Sequence, residues 1–151
     1  MRSYLVVMDE SDEALMALRF AARRAAKTGG QVEILAMIPK QDFVQWGGVQ
    51  AAIEEEAQRR AEALVRQAAG AIVEEAGITP AVIVGQGDPV KAVSKILSER
   101  DDIAALVLGA EAEGGPGPLV SHFSGQAAGT LPCPLMIIPG ALSEEALDRL
   151  S

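Results

Sequence analysis

The residues that could do chemistry in this sequence are concentrated in one glycine-rich stretch near its end. An apolar run ends at Leu108, and five glycines then fall within seventeen positions: Gly109, Gly114, Gly115, Gly117 and Gly125. A glycine-rich loop between a strand and a helix can hold a phosphate group, because its backbone N–H groups are able to point at the anion. The pattern therefore raises the hypothesis of a nucleotide-binding loop.

The same loop contains groups that oppose a bound triphosphate, namely two prolines and two glutamates: Pro116, Pro118, Glu111 and Glu113. The prolines have no N–H to donate, and the carboxylates repel an anion at close range by ~1 kcal/mol or more. No Lys or Arg lies between Arg100 and Arg149, so Lys40 and Lys91 on neighbouring loops are the candidates for neutralising a phosphate. The alternative role of the glycines is a flexible turn, and the residue types favour it.

Outside this loop, no arrangement of residues indicates catalysis or metal binding. His122 is the only histidine, and no second histidine or cysteine pattern completes a metal site. Cys133 stands between two prolines before an apolar run, which is typical of a buried structural thiol. Phe43 and Trp46 either close over a ligand or pack their loop onto a helix, and packing is favoured. The sequence therefore predicts no enzyme and no metal site.

Length, composition and charge limit the class of protein. The chain has 151 residues, of which 49% are hydrophobic and 3% aromatic, and its formal net charge is -8. This size suits one domain with a sizeable core, and the acidic balance disfavours nucleic acid and anionic membrane as partners. The densest basic group is interpreted as the solvated side of a helix: Arg19, Arg23, Arg24 and Lys27. A single cysteine and the lack of a leader or a membrane-spanning run predict a cytoplasmic protein.

Apolar runs alternate with amphipathic segments along the chain. Strands are predicted at 4–8, 32–38, 81–84, 103–108 and 135–138. Helices are predicted at 12–28, 49–76 and 118–129, and a third helix in chain order is predicted to begin at Pro89, with a short amphipathic tail at 143–150. Leu15 and Ile53 belong to the predicted inward faces of the first and second helices. The alternation predicts a parallel sheet that helices cover on both faces.

The fold class that follows is α/β: a Rossmann-like, doubly wound α/β/α sandwich with a five-stranded parallel sheet, in a single domain of residues 1–151. With the strand order 3-2-1-4-5, the order reverses between the first and fourth strands. Ligands bind beyond the carboxyl ends of the strands at such a point. The loops there are Met8 to Ser11 and Gly109 to Gly117, and Pro39 to Trp46 lies on the same edge.

Three stretches of the sequence resemble the universal stress protein (UspA) family. "VVMDESDEALMALRFA" looks like its opening, in which a strand ends in Asp and a Ser or Thr precedes an Ala/Leu-rich helix. "VGQGDPVKAVSKIL" looks like its third crossover, and "LVLGAEAEGGPG" through "LPCPLMIIPG" looks like its closing strand, loop, helix and strand. The resemblance covers essentially the whole chain.

The resemblance implies an adenine-nucleotide site, for ATP or AMP. Members that bind ATP carry Gly-x2-Gly-x9-Gly-(Ser/Thr) after the fourth strand, and Gly109 matches the first Gly, whereas Ala112 replaces the second. The final pair aligns with Ser121 and His122, or with Gly125 at a longer spacing. The implied nucleotide-binding residues are Asp9 and the backbone near Ile38 at the adenine, with Gly109, Gly115, Gly117 and Ser121 towards the ribose and phosphates.

The function that the resemblance implies is a small cytoplasmic binding or signalling module of the stress response that is not a strong ATP binder. The alternative is a universal stress protein that binds ATP or AMP and acts as a nucleotide-controlled switch. Members of the family pair through their last strand, and an apolar edge strand invites a partner. A homodimer through Leu135 to Ile138 is expected, with the tail at 140–151 packing near its interface. A further protein partner is expected without its identity being specified.

Overall fold

A computed structural model describes residues 2–38 and 47–151 of this chain. The strands are β1 (Ser3–Met8), β2 (Gln31–Ile38), β3 (Ala81–Gln86), β4 (Ile103–Ala110) and β5 (Leu135–Pro139). The helices are α1 (Asp12–Thr28), α2 (Gly47–Ala76), α3 (Pro89–Glu99), α4 (Pro118–Ser124) and α5 (Glu144–Leu150), with a short 3-10 turn at Ala128–Thr130. The predicted positions of Phe43, Trp46 and Lys40 lie outside the described residues.

All five strands are parallel and form one sheet in the order β3-β2-β1-β4-β5. This order confirms the predicted Rossmann-like α/β fold. Because β1 pairs with both β2 and β4, the strand order reverses between β1 and β4, as the sequence predicts. The carboxyl ends of β1, β2 and β4 therefore meet at one edge of the sheet.

Helices α1 and α3 begin where the sequence predicts, because polar side chains cap them. The hydroxyl of Ser11 accepts a hydrogen bond from the backbone N of Ala14 at 3.3 Å, and Gly29 ends α1 in the left-handed conformation. The carboxylate of Asp88 accepts a hydrogen bond from the backbone N of Val90 at 2.9 Å, with proline at the first helical position. Such caps satisfy N–H groups that have no partner within the helix.

Two apolar clusters cover the two faces of the sheet. One joins the α1 side to the strands and includes Leu18, Ile34 and Ile72, and the other, on the α3 and α4 side, includes Leu35, Val93 and Phe123. The two predicted inward residues Leu15 and Ile53 are exposed. Alanines take five of the six buried positions of α1, the sixth being Leu18. The helix therefore lies close to the sheet, and Leu15 stays at its margin.

The fourth helix is shorter than the sequence predicts. It ends at Ser124, and a separate 3-10 turn follows at Ala128–Thr130. Gly125 leaves the helical region with φ -92° and ψ -114°, which glycine adopts at low steric cost. Phe123 remains fully buried in the cluster on this side of the sheet.

The basic residues of α1 are not all solvated, which corrects their interpretation as a wet helix side. Arg19 bridges Glu75 of α2 at 3.0 Å and Glu144 of α5 at 3.1 Å. Arg23 bridges Glu75 at 3.3 Å and Asp148 of α5 at 2.9 Å. Together with the buried Leu147 of α5, these pairs hold the tail of the chain against α1.

A second charged network ties β2, α3 and β4 together at the amino end of the sheet. Arg100, which follows α3, donates hydrogen bonds to both carboxylate oxygens of Asp102 and to Glu33 on β2. Glu33 is a buried carboxylate. The hydrogen bonds that Arg100 donates to Asp102 and then to Glu33 raise the pKa of Arg100. The pKa of Asp102 is lowered, chiefly by its hydrogen bonds from Arg100.

Candidate functional site

The candidate site is the edge of the sheet where β1 and β4 end side by side. Asp9 follows β1, and Gly109 is the next-to-last residue of β4. Ile38 is the last residue of β2, which flanks β1 on its other side. The topology thus brings these predicted site residues to one edge. Gly115 and Gly117 lie on the loop after β4, and Ser121 lies on α4 beyond it.

Asp9 is exposed and holds the turn that leads into α1. Its Oδ1 accepts a hydrogen bond from the backbone N of Ser11 at 2.8 Å and a second one from the hydroxyl of Ser11. Ser11 is itself the cap of α1, so Asp9 positions the cap as the sequence allows. Among the described residues, Oδ2 accepts no hydrogen bond. This oxygen is therefore available to a ligand donor such as an adenine amino group or a ribose hydroxyl.

Gly109 has a packing role that the glycine pattern does not reveal. A Cβ atom on Gly109 would lie 2.1 Å from the carbonyl oxygen of Glu13 in α1. A Cβ on Gly140 would lie 3.0 Å from the Cβ of Glu13. The first turn of α1 therefore packs directly on the end of β4, and only glycine leaves room for it.

The loop after β4 contains the glycines that packing does not require. No atom lies within 4 Å of a Cβ built on Gly115, and Gly114 and Gly117 have φ values of +84° and +96°. Such values are typical of turns that need glycine. Glu111 and Glu113 of the same loop are exposed. The loop is thus an open turn with a negative rim.

Ser121 lies on the exposed side of α4, one turn after Gly117. Its backbone N donates a hydrogen bond to the carbonyl of Gly117 at 3.0 Å, so this N–H is not free to bind a phosphate. The hydroxyl of Ser121 remains the group that could reach a ligand. Ile38 is buried beside Ala57 and Ala61 of α2, so that its backbone, and not its side chain, is what β2 presents at the edge.

Arg60 is a cation near this edge that sequence reasoning missed. Its guanidinium lies 3.9 Å from Glu10, next to Asp9, and 3.9 Å from Glu56 within α2. Because Arg60 follows Glu56 by four residues, the sequence predicts an exposed ion pair along the helix. It does not predict that Arg60 lies near the edge of the sheet. The side chain is 62% exposed, and it can therefore turn to an anion at a modest energetic cost.

His122 follows Ser121 on α4, and Cys133 precedes β5. The ring of His122 meets that of Phe123 edge to face at 4.9 Å. Burial raises the pKa of the Cys133 thiol, which favours its protonated form over the nucleophilic thiolate. In the part of the chain that the structure describes, no group of three or more His, Cys, Asp or Glu side chains is placed to hold a metal ion. No helix within residues 2–38 and 47–151 has the length and apolar character of a bilayer-spanning segment.

The order of elements, the strand reversal and the loop after β4 agree with one protein family. The model of the universal stress protein family matches residues 1–139. The chain belongs to the universal stress protein family. The matched residues of this universal stress protein extend from β1 to the end of β5, so that α5 lies beyond them. A search of curated proteins finds no match to the chain.

Solved structures of universal stress proteins share the fold at low sequence identity. UspA from Lactobacillus plantarum is 18% identical with a TM-score of 0.72, over 91% of this chain and 97% of that one. The universal stress protein of Archaeoglobus fulgidus in complex with dAMP is 19% identical with a TM-score of 0.63, over 91% and 98%. A universal stress protein in complex with cAMP is 20% identical with a TM-score of 0.60, over 91% and 96%.

Proposed function

We propose that this universal stress protein is a cytoplasmic stress-response module that catalyses no reaction. It binds adenosine monophosphates with an affinity similar to that for ATP. The observation that carries the proposal is the contrast between the two halves of the site. At the end of β1, Asp9 is exposed, and its Oδ2 accepts no hydrogen bond from a described residue. Beyond β4, the loop offers two exposed carboxylates and no cation. The site therefore binds an adenosine group, and additional phosphates add little to the binding affinity.

Relatives of known structure support the ligand class. Two structures of the same fold are described as complexes with dAMP and with cAMP, and both ligands carry a single phosphate. A site that recognises adenine and ribose and makes few demands on the phosphates fits such ligands. The family match extends over β1, β2 and β4, which form the site edge.

Calorimetric titration with AMP, cAMP and ATP, with and without magnesium, tests this proposal. We expect AMP and ATP affinities within about fivefold of each other, because a solvent-exposed phosphate contact is worth about 1 kcal/mol or less. Asp9→Ala should weaken all three ligands, whereas Asp12→Ala, which removes an exposed carboxylate from α1, should not. Replacing Glu111 and Glu113 by Lys should strengthen ATP binding more than AMP binding. Absence of binding by every ligand would contradict the proposal.

A nucleotide-controlled switch is the second candidate function, and the position of Arg60 favours it. Arg60 can leave Glu10 to meet a triphosphate. The same titration decides between the two functions, since a switch requires ATP to bind at least about tenfold more tightly than AMP. If Arg60→Ala loses the preference for ATP while the control Arg59→Ala keeps it, the preference is due to Arg60.

We also propose that two copies pair through the β5 edge, Leu135 to Ile138. Among the strands that the structure describes, β5 pairs with β4 alone, and Ile137 is 40% exposed. The tail ends nearby on α1 with Leu150 exposed, so it can join the interface. Light scattering should give twice the 15.7 kDa mass of the chain, and Ile137→Lys should reduce it to a single copy. Val73→Lys, at an exposed apolar position of α2, should leave the mass unchanged. A wild-type chain with the mass of one copy at micromolar concentration would refute the pairing.

A further inference from the structure

Strand β3 forms the other open edge of the sheet. Within residues 2–38 and 47–151, β3 pairs with β2 alone, and no backbone hydrogen bond outside that pairing involves Ala81–Gln86. An edge strand of this kind presents a row of N–H and C=O groups that can pair with another strand.

The side chains on one face of β3 are apolar and open to solvent. Val82 is 44% exposed and Val84 is 47% exposed. Their register partners Ile34 and Ala36 lie in the buried cluster on the α1 side, so α1 and α2 cover the sheet up to β2 and leave β3 bare. A strand added to this edge would place apolar side chains beside Val82 and Val84.

The other face of β3 borders a groove beneath α3. The groove has a volume of about 520 Å³, and its apolar part is formed by Leu35, Ile83, Ala92 and Ile96. Helix α3 has 11 residues and is therefore about 16 Å long. About five residues of extended chain cover the same length. The shape suits an elongated occupant that lies along the edge.

Two lysines give this groove a positive rim in an acidic protein. Lys91 and Lys95 lie one turn apart on α3 and are exposed, and neither forms an ion pair with a described residue. Other charges of the groove are already engaged, because Asp88 caps α3 and Arg100 binds Glu33 and Asp102. Glu99 is a further acidic residue of the lining. The lysines are therefore the groups that a partner can neutralise.

We propose that the β3 edge and the α3 groove form a docking site for an extended peptide segment that alternates acidic and apolar side chains. The segment adds to the sheet as a strand beside β3, and its backbone pairs with the free edge. Because side chains alternate across a strand, its acidic residues face Lys91 and Lys95 while its apolar residues face Val82 and Val84. This partner site includes neither Asp9 nor Gly109 and is separate from the β5 edge. It contains Lys91, which lies on α3 and not, as the sequence predicts, on a loop beside the nucleotide site.

A fluorescein-labelled peptide of sequence Glu-Val-Glu-Val-Glu-Val tests the proposal by fluorescence anisotropy and by NMR shifts of the backbone amides. We expect saturable binding, with shifts at Val82–Gln86 and on α3. Reversing both lysines, Lys91→Glu with Lys95→Glu, should weaken binding at least about tenfold. The matched pair Arg24→Glu with Lys27→Glu makes the same change in net charge on exposed α1 positions and should alter the affinity less than about twofold.

Two further peptides separate strand addition from charge attraction alone. A peptide N-methylated on alternate residues along one edge should lose binding, whereas one methylated along the opposite edge should retain it, since only one edge pairs with β3. Equal binding of both, or equal binding of Lys-Val-Lys-Val-Lys-Val, would overturn the proposal. The proposal would also be overturned by shifts confined to Leu135–Pro139 or by no binding at millimolar peptide. Shifts at β3 that depend only on protein concentration would overturn it too, because they would assign this edge to a second copy of the chain.

Discussion

Gly109→Ala is expected to lower the free energy of unfolding by about 3 kcal/mol. The added methyl group would lie 2.1 Å from the carbonyl oxygen and 2.4 Å from the carbonyl carbon of Glu13. Both are backbone atoms in the first turn of α1, so no side-chain rotation can relieve the overlap. The helix must move away from β4, and the contacts of its buried alanines weaken. Urea denaturation followed by circular dichroism measures the loss.

Gly115→Ala is the matched control for Gly109→Ala. Nothing lies within 4 Å of the added carbon at Gly115, and we expect a change of less than about 0.5 kcal/mol. A loss of nucleotide affinity in Gly109→Ala would not by itself show that Gly109 touches a phosphate, because displacement of α1 would weaken binding as well. Equal stability of the two variants would contradict the close packing of α1 on β4.

Arg100→Met is expected to cost about 2 kcal/mol of unfolding free energy. The change leaves Glu33 as a buried carboxylate without its cation, which is more costly than losing an exposed ion pair. The value lies below the range for fully buried pairs because the Arg100 side chain is 31% exposed. Arg59→Met, which removes an exposed pair with Glu55 at 3.3 Å, should cost less than about 0.5 kcal/mol.

A second substitution distinguishes the charge of Glu33 from the packing of Arg100. Glu33→Met combined with Arg100→Met should recover part of the lost stability, because the buried carboxylate is then removed as well. No recovery in the double variant would mean that Arg100 acts through packing instead.

The pH dependence of stability tests the partner carboxylate of this network. The pKa of Asp102 is lower in the folded chain than in the unfolded chain, so its contribution is complete above the unfolded value of about 3.9 and decreases as pH falls through the folded value. The difference in stability between the wild type and Asp102→Asn should therefore be constant above about pH 5 and decrease in more acidic solution. A difference that grew on acidification would contradict the ion pair.

Much of the fold follows from short-range patterns in the sequence. Apolar runs locate the strands, Ser11 and Asp88 mark helix starts, and the alternation of elements specifies the parallel sheet. Helix ends follow less directly from the sequence, because α4 ends at Ser124 and not at the predicted Gly129. The position of the candidate site also follows, because the strand order places Asp9 and Gly109 at adjacent strand ends.

The unpredicted features depend on contacts between distant parts of the chain. Glu33 and Arg100 are 67 residues apart, and no local pattern shows that this carboxylate is buried. Arg19 and Arg23 look like a solvated helix side until α5 folds back upon them. Gly109 fits a phosphate motif, yet its closest neighbour is the backbone of α1. A sequence motif identifies the residue type at a position, but it does not identify the neighbouring atoms that make that residue type necessary.

Strands β3 and β5 end the strand order on opposite sides of the molecule. Two copies joined through β5 would form one continuous sheet, with twice the five strands of one copy, in which both outer strands are β3. At about 4.8 Å per strand, these outer strands lie about 43 Å apart, a distance that a linker of about 12 extended residues spans. A partner with two docking segments would then gain avidity from the high effective concentration of the second segment. Dimerisation would thus turn a univalent receptor into a bivalent one.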